Sequence, residues 1–157
     1  MFSKHYHKRT LFLLSLIRIQ TMIQRIQTIY LVLAAGASIG LPFLVSLFND
    51  ENGNAVWAQD NLLYLGLFGG SGLLSLITMF LYKNRQHQFV LGRLNIILNF
   101  VLLGVLVYQS QILSGGTAVL EKGIGMIIPL VSIVLIALAN KAIKRDEDLV
   151  KSVDRLR

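Results

Sequence analysis

Four uninterrupted apolar runs, at about residues 27–48, 62–82, 89–113 and 124–143, constrain this chain more than any other feature. At 1.5 Å per helical residue, about 20 residues cross the ~30 Å hydrocarbon layer of a bilayer, and each run is long enough to do so. A soluble helical bundle would alternate apolar stripes with polar faces at the helical period. The second run instead reads LLYLGLFGGSGLLSLITMFLY, apolar or small all the way round. Of the 157 residues, 54% are hydrophobic, and the mean hydropathy of +0.63 is too high for an ordinary soluble domain. The expected fold is all-α: a single integral-membrane domain built as a four-helix antiparallel bundle, with no separate soluble domain.

The net charge of +7 is distributed in a way that argues against nucleic acid. Of the 15 basic residues, all but Lys122 fall before the first run, between the second run and the start of the third, or in the tail. Basic residues retained on the cytoplasmic side are the usual determinant of topology, so both termini are expected in the cytoplasm. The chain has no cysteine, which excludes a disulfide framework, a thiolate nucleophile and a cysteine-based metal site.

The two ends carry distinctive polar sequence. Lys4, Lys8 and Arg9 precede an apolar stretch, residues 11–17, that is too short and lacks a small-residue cleavage site for a signal peptide. Arg18 and Arg25 each open an RIQT repeat seven residues apart, which puts both on one helical face. Residues 10–26 are therefore expected to form a basic interfacial helix. The alternative is that Met22 is the start and residues 1–21 are an extension. At the other end, Ala142, Leu149, Val153 and Leu156 share a helical stripe, with Glu147–Lys151 a favourable i,i+4 ion pair and Lys144–Asp148 a weaker, reversed one. The tail, 144–157, is expected to be an amphipathic cytoplasmic helix. It would rest on the membrane surface or, because anionic lipid repels Asp146, Glu147 and Asp148, dock on a cytoplasmic protein.

Within the runs, Gly36 and Gly40, and Gly66 and Gly70, stand four apart, a spacing that lets helix backbones approach closely in lipid. Pro42 is expected to kink the first helix, while Pro129 falls in the first turns of the fourth, where disruption is smaller. The first outward loop, 49–61, begins like a calcium loop, Asp50-Glu51-Asn52-Gly53-Asn54. It fails at its sixth and twelfth positions, Ala55 and Asn61, and reads as a turn. Trp57 fits an interfacial anchor. His5, His7 and His87 have no partner at ligand spacing, so no metal site is expected.

Before the tail, Arg93 is the only formal charge inside the runs, close enough to the cytoplasmic end to snorkel. An ionisable residue near the midplane costs about 2.5–3.5 kcal/mol, and none is found there, which counts against a proton-coupled transporter or an aspartate intramembrane protease. Gly69-Gly70-Ser71-Gly72 is followed by Leu73 and is not a nucleophile elbow. No catalytic, cofactor-binding or metal residues are assigned. Asn95 and Asn99, at i and i+4 just after Arg93, share one face of the third run. They read as bridges to other helices, with Ser132 and Asn140 as plausible partners, or alternatively as a patch for a lipid headgroup or a partner helix.

Met22-Ile-Gln-Arg-Ile-Gln-Thr-Ile-Tyr30, Tyr82-Lys-Asn-Arg85, Arg93-Leu-Asn-Ile-Ile-Leu-Asn99 and the charged stretch from Leu138 to Arg157 together resemble a family of small membrane proteins from the Bacteroidota, domain of unknown function 4293. The resemblance covers about residues 22–157 and is most specific at its two ends. It implies a four-pass protein of the bacterial inner membrane, favours Met22 as the ordinary start, and transfers no catalytic residue. The expected function is non-enzymatic, with no cofactor: a subunit that assembles with or anchors other proteins through its cytoplasmic face. Its candidate interaction residues are Arg25, Arg93, Asn95, Asn99, Asn140, Asp146, Glu147, Asp154 and Arg155. Expected partners are membrane lipids and a cytoplasmic or membrane protein, not nucleic acid. The alternative is a small transporter, channel or lipid-binding protein that uses the Asn95/Asn99 face.

Overall fold

The computed structural model describes residues 26–50, 52–82, 84–113 and 124–154. Arg25 with the expected interfacial helix, the second outward loop and Arg155 lie outside the described residues, as do the side chains of Val153 and Asp154. Four helices are long and apolar enough to cross a membrane. They are α1 (Ile26–Leu44), α2 (Leu62–Phe80), α3 (Arg85–Leu113) and α4 (Ile128–Asp154), the last preceded by a 3-10 turn at Ile124–Ile127. Between α1 and α2 lies a two-stranded antiparallel hairpin, β1 (Phe48–Asn49) and β2 (Ala55–Val56), followed by a 3-10 turn at Ala58–Asp60.

The buried positions explain why these helices pack. The central ones fall at 27, 31, 34 and 38 on α1, at 64, 68, 71, 75 and 78 on α2, at 88, 92, 95, 99, 102 and 106 on α3, and at 132, 136, 139, 143 and 146 on α4, with others such as 35, 72 and 140 buried beside them. Steps of four and three alternate, a period of about 3.5 residues that keeps one seam turned toward its neighbours, as in a left-handed supercoil. What occupies the seam is unusual. Serine, threonine, asparagine, glutamine, glycine and alanine hold most of it, while large apolar side chains face outward, with Leu44 74% and Phe80 72% exposed. This inverts the soluble pattern.

The interior is tiered. At the hairpin end, Leu47, Phe48, Ala58, Tyr64, Phe68, Leu102, Leu106 and Ile128 form an apolar cluster, with the Phe48 and Tyr64 rings edge-to-face at 6.3 Å. The hairpin is locked onto this end. The Gly125 amide donates to the Ser46 carbonyl at 3.0 Å, and a Cβ at Gly125 would stand 2.6 Å from that oxygen. The polar tiers, described below, occupy the middle and the opposite end.

Several boundaries differ from the sequence expectation, each for a local reason. The first helix stops at Leu44 rather than near 48. Pro42 offers no N–H to the preceding turn, the last helical bond runs from the Val45 amide to the Leu41 carbonyl, and the Leu47 amide already donates to Val56 across the hairpin. Pro42 thus lies in the last turn of the helix. The loop reads as the expected turn: the Asp50 amide donates to the Asn54 carbonyl, and Gly53 takes φ 76°, the left-handed region that glycine enters at little cost. The third helix begins at Arg85, four residues before its apolar run, so Arg85, His87 and Gln88 are helical rather than loop. The Gln88 amide donates to the Asn84 carbonyl, closing that first turn.

The glycine expectation is corrected more substantially. A Cβ at Gly36, Gly40, Gly66, Gly69 or Gly70 meets nothing within 4 Å, so those glycines do not bring helices of the bundle together. Close approach occurs instead at Gly72, against Ile39 of α1, and at Gly92, against the Asn140 amide of α4. Gly92 lies on the 3.5-residue seam and Gly72 is buried beside it, next to Ser71, whereas the four-apart pairs fall off it.

Candidate functional site

The middle tier is a hydrogen-bonded network that touches all four helices. Ser38 of α1 lies 3.2 Å from the Ser71 hydroxyl of α2 and 3.0 Å from the Ser132 hydroxyl of α4. The Asn95 amide nitrogen donates to the Ser71 carbonyl at 3.0 Å and to the Ser75 hydroxyl at 2.8 Å, tying α3 to α2. The Ser75 hydroxyl in turn donates to the Ser71 carbonyl at 3.1 Å. Asn99 Nδ2 faces three oxygens: the Ser71 hydroxyl at 2.7 Å, the Asn95 carbonyl at 2.9 Å and Asn95 Oδ1 at 3.0 Å. That surround fixes the amide, because the flipped rotamer would set Asn99 Oδ1 against both Asn95 oxygens. All six residues are at most 1% exposed. An unpaired buried hydroxyl or amide is costly, so mutual satisfaction is what permits so polar a centre.

The third tier lies where α3 begins and α4 passes its apolar stretch. Asp146, 1% exposed, receives the Arg85 guanidinium at 3.1 Å on Oδ2, and the same guanidinium donates to the Asp146 backbone carbonyl at 3.3 Å. Gln27 and Gln88 are buried, and Thr78 returns its hydroxyl to the Leu74 carbonyl at 2.6 Å. Asn140 is buried in the notch left by Gly92. Four buried polar atoms have no protein partner among the described residues: Gln27 Nε2, Asn99 Oδ1, Asn140 Oδ1 and Asp146 Oδ1.

The outer surface of this end carries charge. Arg93 is exposed, its guanidinium carbon 4.3 Å from the centre of the Phe89 ring. Lys141, Lys144, Arg145 and Asp148 are exposed on α4, and Lys151 pairs with Glu147 at 2.6 Å, the i,i+4 pair expected from the sequence.

The structure therefore separates the candidate residues into groups. Asn95 and Asn99 meet each other and α2 inside the bundle. Asn140 joins no bond of that network, whereas Ser132 does, through Ser38. Asp146 is turned inward rather than toward a docking partner, because the buried face of α4 runs through Ala139, Ile143 and Asp146, one residue out of phase with the stripe drawn through Ala142 and Leu149. Arg93 and Glu147 remain on the outside, and Asp154 closes α4. The residues that the sequence reading passed over are Ser38, Ser71, Ser75 and Arg85. The serines' signal was the 3.5-residue recurrence of small polar residues within runs that hydropathy treats as uniform, whereas Arg85 is revealed as the partner of Asp146 by the fold alone.

The sequence profile of the family described as "Domain of unknown function (DUF4293)" matches residues 23–156. The chain belongs to that family. The match runs from just after Met22 to the penultimate residue, so it takes in Arg25 and nearly all of the charged tail but not Lys4, Lys8, Arg9 or Arg18. Comparison with curated proteins and with solved structures finds no match.

Proposed function

We propose that this DUF4293 protein is a non-enzymatic, multi-pass protein of the bacterial inner membrane, with its helices antiparallel and both termini in the cytoplasm, and that it assembles with or anchors other proteins through its cytoplasmic face. The inverted interior supports solvation by lipid: in water, the exposed leucine and phenylalanine side chains of all four helices would be driven together rather than left outside. The pairing of Arg85 with Asp146, and of Gly92 with Asn140, supports opposite directions for α3 and α4, since advancing along one means retreating along the other. Arg93, Lys141, Lys144 and Arg145 gather at the end where Arg85 meets Asp146, and the positive-inside rule assigns that end to the cytoplasm.

The observation that carries the assembly reading is that α4 continues without a break past its apolar stretch to Asp154. The Arg85–Asp146 clasp fixes the root of this extension, whose exposed Lys144, Arg145 and Asp148 form a rigid, mixed-charge surface beyond the bilayer. A conduction route through Asn95 and Asn99 is the weaker reading, because Nδ2 of each amide is committed to neighbours inside the bundle. The test is crosslinking and mild-detergent pull-down from native membranes, with the intact chain and with residues 147–157 removed. A protein captured by the first and lost by the second, with the truncated chain still in the membrane, is the expected result. Recovery of the chain alone in both cases overturns the reading.

A further inference from the structure

We infer that Arg93 and Lys141 form a clamp for the phosphate of an anionic phospholipid on the outer side of the α3–α4 pair. The inference rests on the antiparallel, lipid-solvated arrangement proposed above. Gly92 and Asn140 are in direct contact between the two helices. Each successive helical residue turns by about 100°, and in antiparallel helices the two turns have opposite sense when viewed from one end. The residues that follow the contact pair, Arg93 and Lys141, therefore project to the same side of the α3–α4 pair, about 3 Å apart along the axis. Both are exposed, and so is Lys144 one turn further out. The missing side chain at Gly92 lets the helix axes close in at this level, which brings cations from two helices together.

The depth of these residues fits a headgroup. Residues 94–112 of α3 carry no charge and span about 28 Å, close to the thickness of the hydrocarbon layer. Residues 124–140 are likewise uncharged, and Lys141 follows at once. Both cations thus stand where hydrocarbon gives way to phosphate. Arg93 lies against the Phe89 ring, which orients the guanidinium and covers one of its faces while leaving its edge donors for an anion. Asn140 lies at the same level, buried against Gly92 with its Oδ1 closed to solvent, so the headgroup would be met by the two cations alone. Asp148, the exposed carboxylate on this side of α4, is about 10 Å further along the axis, beyond the phosphate layer.

Native mass spectrometry of the full chain in detergent micelles, titrated with phosphatidylglycerol or phosphatidylcholine of identical acyl chains, tests the clamp. Both lipids carry the phosphate, but phosphatidylcholine adds a trimethylammonium that neutralises it and is repelled by the two cations, so the expected preference for phosphatidylglycerol is about tenfold. The R93Q/K141Q variant should lose that preference, R93K/K141R should retain most of it, and K151Q, outside the clamp, should keep it in full. Equal binding of the two lipids by the wild type, or an undiminished preference in R93Q/K141Q, overturns the inference. Displacement of the lipid by inorganic phosphate at the same concentration also overturns it, since the cations would then serve a soluble anion. If R93Q/K141Q does not fold, the R93Q and K141Q single variants carry the same test, each expected to weaken the preference. No protein partner enters these measurements, so their failure is distinguishable from failure of the tail-deletion experiment.

Discussion

Replacing Arg85 by alanine should be far more damaging than its position in the first turn of α3 suggests. The guanidinium reaches Asp146 Oδ2 at 3.1 Å and the Asp146 backbone carbonyl at 3.3 Å, and the Asp146 side chain is 2% exposed against 22% for Arg85. Removing the cation strands a buried carboxylate, which costs about 3–5 kcal/mol in general. The lower end applies here, because Asp146 Oδ1 has no protein donor even in the intact pair. About 3 kcal/mol is a shift of roughly a hundredfold in the folding equilibrium. Removing the acid should cost less, about 1–2 kcal/mol, because the partly exposed arginine can turn to water or headgroups. The double substitution R85M/D146L should regain most of the loss, since neither charge is then left without its partner. The assay is reversible unfolding in mixed micelles with increasing sodium dodecyl sulfate, comparing the wild type with R85A, D146A and R85M/D146L. The reasoning is refuted if R85A costs no more than K151A, which breaks only the exposed Glu147–Lys151 pair, or if R85A and D146A are equally harmful.

Other expected outcomes concern the interior. Asn95→Leu should destabilise by about 1–2 kcal/mol in the same assay, whereas Ser38→Ala, which removes two hydroxyl contacts, should cost about 0.6–1 kcal/mol, interhelical bonds in membranes being individually modest. Gly125→Ala should cost about 1–3 kcal/mol, because its Cβ would meet the Ser46 carbonyl and Leu47 Cα rather than a flexible side chain. Gly66→Ala, in open space on α2, should be neutral or gain up to about 1 kcal/mol from helix propensity, and a loss there would mean that this face contacts another chain. A reporter fused after Arg157 should be active only in its cytoplasmic form; a periplasmic signal would reverse the proposed orientation.

Much of this architecture was legible in the sequence because long apolar runs and the placement of charge are additive signals that survive averaging. The number of helices and the i,i+4 pair of Glu147 and Lys151 came directly from such patterns. The interior was harder to read, for a physical reason. A hydropathy window averages Ser71, Ser75 and Thr78 with the leucines and isoleucines around them, so the seam vanishes into a uniformly apolar run even though its polar members recur every 3.5 residues. The glycine expectation failed similarly: Gly66 and Gly70 have the spacing of a packing motif but meet no neighbouring helix, whereas Gly92, in phase with the seam, and Gly72, beside it, do. Asp146 misled because an acidic run beside a membrane reads as solvated, and only the fold shows that Arg85, 61 positions earlier, comes within reach.

The bond between Gly125 and Ser46 has a mechanical consequence. It joins the residues just before α4 to those just after α1, so the first and last helices are hinged together at the hairpin end. Sliding of one past the other, as an elevator-type carrier requires, would tear that joint and push the apolar cluster apart. What freedom remains is a splaying of the opposite ends, like the legs of a compass. At those ends the Arg85–Asp146 clasp ties α4 to α3 rather than to α1, so α4 would swing together with α3 and the tail would keep its angle to that helix.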